Sequence, residues 1–176
     1  MSDYLVISAI GKDKPGIVNE LSKVIHNQQC SIDDSRMTVL GGEFALILLV
    51  SGKWNAISKL EELIPPLALQ LDMTIISKRT ETREKADNRF PFIADVVSID
   101  HPGIVSSIAE FFSSRNINIE DMNTSSYAAA HTGTKMFSVS LAISIPGDTH
   151  LGELREQFSE FCDSLNLDGF MEPAKH

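Results

Sequence analysis

The hexapeptide Asp13-Lys14-Pro15-Gly16-Ile17-Val18 returns 87 positions later as Asp100-His101-Pro102-Gly103-Ile104-Val105, five of its six residues unchanged. Short matches arise by chance, so the flanking segments decide. Ahead of each copy lies a run rich in β-branched residues and of strand length, Tyr4–Ile10 and Phe92–Ile99. After each copy, apolar residues recur at i, i+4, i+7 and i+8, as Ile17, Leu21, Val24 and Ile25 and again as Ile104, Ile108, Phe111 and Phe112. That spacing lines one face of an α-helix. The register survives past the helix, where Ser31-Ile32-Asp33-Asp34 falls on Asn118-Ile119-Glu120-Asp121 without a gap. The chain is a duplication.

Each half continues alike. A second strand leads to a turn, Gly41-Gly42 in the first half and the longer Tyr127–Thr134 in the second, then to a third strand, Phe44–Val50 or Met136–Ile145. Ile57, Leu60 and Leu63 mark a second helix, expected to stop at Pro65-Pro66 because proline lacks the N–H that helix continuation needs. Leu151, Leu154, Phe158 and Phe161 mark its partner, and closing strands are expected at Leu71–Ser77 and Leu167–Met171. The order β-α-β-β-α-β predicts an α+β fold, ferredoxin-like in each half, with two helices covering one face of a four-stranded antiparallel sheet. The stretch KRTETREKADNR at 78–89 holds eight charged residues in twelve, which sets domains at 1–78 and 91–176 around a charged linker at 79–90.

Composition narrows the function. With 176 residues, 43% of them hydrophobic and 22% charged, the chain has room for two small cores and the makeup of a folding sequence. A net charge of −9 repels phosphate backbones, so direct nucleic-acid binding is not expected. The longest apolar run, Phe44 to Val50, has strand length and cannot span a membrane. The first residues lack the basic segment and cleavage pattern of a signal peptide, so a cytoplasmic location is expected. Cys30 and Cys162 lie far apart without ligand-spaced partners, so neither a disulfide nor a metal site is expected.

The repeated turn is the candidate site. Asp13 and Asp100 are expected to cap the helices, Pro15 and Pro102 suit a first turn, and Gly16 and Gly103 allow close backbone approach. Free amides at a helix N-terminus, with the helix dipole behind them, attract a small anion such as an amino-acid carboxylate. Asp13 or Asp100 would accept from the ammonium group. Lys14 and His101 would flank the pocket, beside Ile17 and Ile104. Asn118, opening the second strand of the second half, adds an amide that Ser31 lacks in the first. No nucleophile with a base and orienting group can be assembled around His26, His101, His131, His150 or His176, and no glycine-rich phosphate loop is present, so neither catalysis nor a cofactor is expected.

Two successive β-α-β-β-α-β units, each with a D-x-P-G-I-V turn, and the Asn-Ile-Glu-Asp start at 118–121, resemble tandem ACT-domain proteins. The resemblance runs from Tyr4 to about Met171. It implies amino-acid binding where two such domains meet, carried by Asp13, Pro15, Gly16 and Ile17 and by Asp100, Pro102, Gly103, Ile104 and Asn118. A free-standing pair is most similar to the glycine cleavage system repressors. That similarity implies glycine as the ligand, a transcription activator as the protein partner, and no DNA-binding motif. A detached regulatory subunit of a biosynthetic enzyme is the alternative. Small modules of this kind pair with one another, so a homodimer is expected.

Overall fold

The computed structural model describes residues 3–82 and 88–175. The chain divides into two compact units, Met1–Glu84 and Lys85–His176. The first unit runs β1 (Asp3–Lys12), α1 (Ile17–Asn27), β2 (Ser31–Leu40), β3 (Glu43–Gly52), α2 (Trp54–Leu71) and β4 (Met73–Thr80). The second repeats the order as β5 (Arg89–Ile99), α3 (Ile104–Ser113), β6 (Asn118–Ala128), β7 (Lys135–Pro146), α4 (Leu151–Ser164) and β8 (Asp168–Pro173). Of the stretch expected to link the domains, Arg79 and Thr80 close β4, Arg89 and Phe90 open β5, and residues 83–87 lie outside the described residues.

Both sheets are antiparallel, with strand orders β2-β3-β1-β4 and β6-β7-β5-β8. The first strand of each unit is therefore central, hydrogen-bonded on both sides. Its alternate residues point under the helices: Leu5, Ile7 and Ala9 in β1, Phe92, Ala94 and Val96 in β5, all within 4% of complete burial. The helical stripes meet them. Ile17, Leu21 and Ile25 are buried from α1, and Ile104, Ile108, Phe111 and Phe112 from α3. Where the first unit has Val24 and Ile25, the second has Phe111 and Phe112, and these rings join Phe158 and Phe161 of α4 with centroids 4.8–6.2 Å apart. The two cores thus share a plan but not a filling.

Two expectations about α2 need correction. The helix does not end at Pro65-Pro66 but continues through both to Leu71, and its buried stripe is Ile57, Leu60, Ile64 and Leu67, with Leu63 38% exposed. Each proline costs a helix interior about 3 kcal/mol. Burying Ile64 and Leu67 returns about 1.5–3 kcal/mol apiece, which keeps the last two turns helical. Arg79 adds a brace from β4, donating to the Glu61 carboxylate at 2.8 and 3.0 Å and to Ser58 Oγ at 2.7 Å.

All four helices leave through a left-handed residue that is not glycine: Gln29, Asp72, Asn116 and Asn166, with φ between 54° and 57°. In three of them the next amide reaches back to the helix, Cys30 to the Ile25 carbonyl, Ile117 to Phe112 and Leu167 to Cys162, at 2.8–3.2 Å. The buried side chains of Cys30, Ile117 and Leu167 fix that exit.

Two outcomes follow. Pro65→Ala restores an N–H to the helix and should raise the stability of the first unit by about 1–2 kcal/mol, measured as the shift in its urea midpoint. Burial, with Asp163 and Asp168 nearby, pushes the Cys162 thiol from an ordinary 9.0 up to about 11, and burial raises Cys30 too. Both thiols should react with an aromatic disulfide reagent at pH 8 far more slowly in the folded chain than after denaturation. Because folded Cys162 keeps its proton, its contribution to stability is complete below pH 9.0 and falls as pH rises toward 11.

Candidate functional site

At the end of β1 the chain turns through Asp13, Lys14, Pro15 and Gly16 and enters α1 at Ile17; Asp100 to Gly103 repeat the path into α3 at Ile104. The two corners superpose in dihedral space, Gly16 at φ 95°, ψ −8° and Gly103 at φ 95°, ψ −5°. Here glycine is required by the backbone, since an L side chain at that φ is strained. The glycines themselves are the N-caps, and neither helix receives a side-chain cap. This corrects the capping role expected of Asp13 and Asp100: each lies three residues before the cap, too early to reach the first-turn amides in place of the glycine.

The first intrahelical bonds run from Glu20 N–H to the Gly16 carbonyl at 2.9 Å and from Ser107 N–H to Gly103 at 3.0 Å. The amides of residues 17–19 and 104–106 precede those bonds and form the positive end of each helix. Ile17 and Ile104, 5% and 3% exposed, are driven into the core and fix where those amides point. Pro15 and Pro102 are exposed. In the second corner Ser106 Oγ donates to the Gly103 carbonyl at 2.9 Å, and His101 Nδ1 lies 3.1 Å from the Pro102 carbonyl, so Nδ1 is the donor there.

The carboxylates distinguish the corners. Asp100 is gripped by Lys135, Nζ to Oδ2 at 2.6 Å, while the Asp100 amide bonds the Lys135 carbonyl at 2.9 Å. In the first unit the matching backbone bond runs from Asp13 to Gly42 at 3.3 Å. Glycine therefore stands where the second unit has lysine, and Asp13 makes no ion pair among the described residues. Beside Asp13 and Gly16 opens a concavity of about 510 Å³, bordered by Lys14, Val18, Ser22, Met37 and Phe44. Its volume lies within the range of small-molecule sites.

Ser31 and Asn118 are elsewhere. Asn118 pairs with Ser144, which pairs with Pro91 at the start of β5, whereas the corner follows Ile99, paired with Met136. The eight-residue difference along β7 is roughly 26 Å. Ser31, opposite Ser51 and Tyr4, occupies the same far end of the first sheet. Asn118 Nδ2 instead donates to Glu120 at 2.7 Å. Neither residue joins the corner of its own unit. Lys135, Met37 and Phe44, which do border the corners, escaped the sequence reading because the two hairpins differ in length and a fixed offset misaligns them.

The ACT domain family matches residues 3–78, and the second unit repeats that topology. Together they define a tandem ACT-domain regulatory protein. The glycine cleavage system transcriptional repressor of Escherichia coli K12 is 31% identical over 166 residues, which is 94% of this chain and 87% of that protein; the Shigella flexneri repressor gives the same figures. This chain belongs to that repressor family. A crystal structure of a protein proposed as a glycine cleavage system transcriptional repressor covers 100% of this chain and 99% of its own, with a TM-score of 0.77 at 28% identity. A protein of Galdieria sulphuraria, at 23% identity, shares the fold with a TM-score of 0.83 over 99% of this chain and all of its own.

The corner geometry is directly testable. A Cβ added at Gly16 meets nothing within 4 Å, so Gly16→Ala should cost the backbone strain alone, about 1–3 kcal/mol, with the fold retained. The same substitution at Gly42, equally open and without a positive φ, should cost much less in the same urea titration.

Proposed function

We propose that this chain is a non-enzymatic, cytoplasmic regulator that senses a small amino acid, glycine first among the candidates, and passes the signal to a protein partner such as a transcription activator. The observation that carries this reading is the 31% identity to the E. coli repressor along 94% of the chain. Its two sensing units would span 1–78 and 91–176, joined by the charged segment 79–90, and two chains would form a homodimer.

Physical chemistry supports the same reading. A net charge of −9 disfavours direct contact with DNA and favours control through another protein. At each corner, helix amides provide for a carboxylate and an aspartate for an ammonium, the two charged ends of a free amino acid. The corners would not serve equally. Asp100 already holds the Lys135 ammonium, whereas Asp13 faces a concavity with no cation on its carboxylate. The reading therefore assigns the stronger ammonium contact to Asp13. Ser31 and Asn118, at the far end of each sheet, could reach a bound amino acid only from another domain.

Calorimetric titration of the full chain with each of the twenty amino acids should show binding of glycine or another small amino acid, and silence across the set would overturn the reading. Asp13→Asn should weaken that binding by about tenfold, equivalent to about 1.4 kcal/mol, and Asp100→Asn by less.

A further inference from the structure

One strand pattern in the first unit is at odds with a sheet that has a wet side. An antiparallel sheet with helices on one face usually alternates apolar and polar residues, as β7 does with Ser138, Ser140 and Ser144 on the side away from the helices. The run Phe44-Ala-Leu-Ile-Leu-Leu-Val50 in β3 does not alternate, and such continuous runs belong to strands covered on both faces. The register shows what this leaves outside. Ser8 lies at the centre of the outer face, opposite Ile47 on β3 and Ile76 on β4, with Val6 and Ile10 before and after it on β1 and Leu49 opposite Val6. Ile10, Ile47 and Ile76 are 51%, 48% and 65% exposed. A small residue ringed by larger apolar ones is a socket edged by knobs.

We propose that this outer face of the β2-β3-β1-β4 sheet is the surface through which two copies of the chain associate, sheet against sheet. The inference rests on the homodimer reading above and gives it a location. Three strands of ten residues and one of eight offer a face of roughly 20 by 30 Å, or about 600 Å² per copy. Two such faces bury about 1,200 Å² in all, above the ~1,000 Å² that a stable association requires. The face also suits its own twofold image. One cross-strand row reads Lys78, Val6, Leu49, Asp34. A twofold axis parallel to the strands, between β1 and β3, lays β4 of one copy over β2 of the other and sets Lys78 of each copy over Asp34 of its mate. That carboxylate is already paired with Arg36 of its own strand, so the apolar ring rather than this charge pair carries the fit. The outer face of the second sheet has a different centre. There Asp95, Asn123, Ser138 and Ser140 surround a shallow depression, and Ser125 and Ser138 satisfy each other's hydroxyls at 2.7 Å.

The test is sedimentation equilibrium of the full chain, with circular dichroism as the check on folding. The wild-type chain should be dimeric at low micromolar concentration. Ile47→Arg should raise the dimer dissociation constant at least 100-fold with an unchanged spectrum. Ile76→Arg, at a more exposed position on the edge strand, should do the same and serves if the first variant unfolds. Ser138→Arg, on the second sheet, should leave the dimer intact. A monomeric wild-type chain would overturn both the homodimer reading and this surface. A dimer indifferent to both isoleucine changes, or broken only by Ser138→Arg, would overturn the surface and leave the homodimer standing.

Discussion

Each unit depends on the burial of its first strand. β1 and β5 are flanked by hydrogen-bonded strands on both sides and roofed by helices, a position they share with β3 and β7, and β1 and β5 each lead directly into a glycine corner. Leu5 and Ala94 are completely buried, and the aliphatic or aromatic stripe of the following helix closes over them. That helix can pack only if the chain leaves the strand, rises one layer and reverses within four residues. The glycine at φ 95° makes the reversal. The helix N-terminus is thereby fixed at the end of a central strand, and its amides are oriented by the fold itself. Preorganisation of this kind lowers the cost of binding a small anion.

The duplication kept that geometry and changed the chemistry around it. The corner glycines agree within three degrees in both dihedrals, yet the residue across the hairpin is Gly42 in one unit and Lys135 in the other. A lysine at the base of the hairpin loop neutralises the very carboxylate that the other corner leaves without an ion pair among the described residues. An exposed pair of this kind contributes little to stability, about 0–1 kcal/mol. Any ammonium approaching Asp100 would have to compete with a tethered one. The hairpins differ further in reach. Two residues turn the first, while the loop 129–134 turns the second and is held by the amide of Ala129 on the Thr134 carbonyl and that of Gly133 on the Ala129 carbonyl.

The sequence made the duplication, the element order and most of the core legible, because buried faces impose periods of 2 and 3.6 on the residues that fill them. Ile104, Ile108, Phe111 and Phe112 were readable as a stripe for that reason alone. The passage of α2 through Pro65 and Pro66 was not, since local propensity argued for an end and burial of Ile64 and Leu67 won. The helix exits were also hidden: Gln29, Asn116 and Asn166 are ordinary polar residues until the following buried side chain forces them into the left-handed region, and Asp72 adopts it ahead of a half-buried Met73. Asn118 misled for a simpler reason. It follows the helix closely in sequence, but the helix carries the chain back along the sheet, so a residue just beyond it lies at the opposite end from the corner where the helix began.

A regulatory role built on this fold has to use the parts that can move. Any ligand can bias two arrangements only by its difference in affinity between them, and a tenfold preference corresponds to about 1.4 kcal/mol. The corner backbone is a poor place to store that difference, because its position is set by the central strand and by Ile17 or Ile104 in the core. The edge strands are better placed. Every residue of β2 is exposed, and β6 is exposed along almost its whole length, with a register shift near its start in each unit. Met37 of β2 borders the first corner, and Lys135, at the base of the β6–β7 hairpin, grips the second. A guest bound at a corner would touch a rigid amide cradle on one side and an exposed edge strand on the other, and the free energy that distinguishes two arrangements would have to be expressed at that edge.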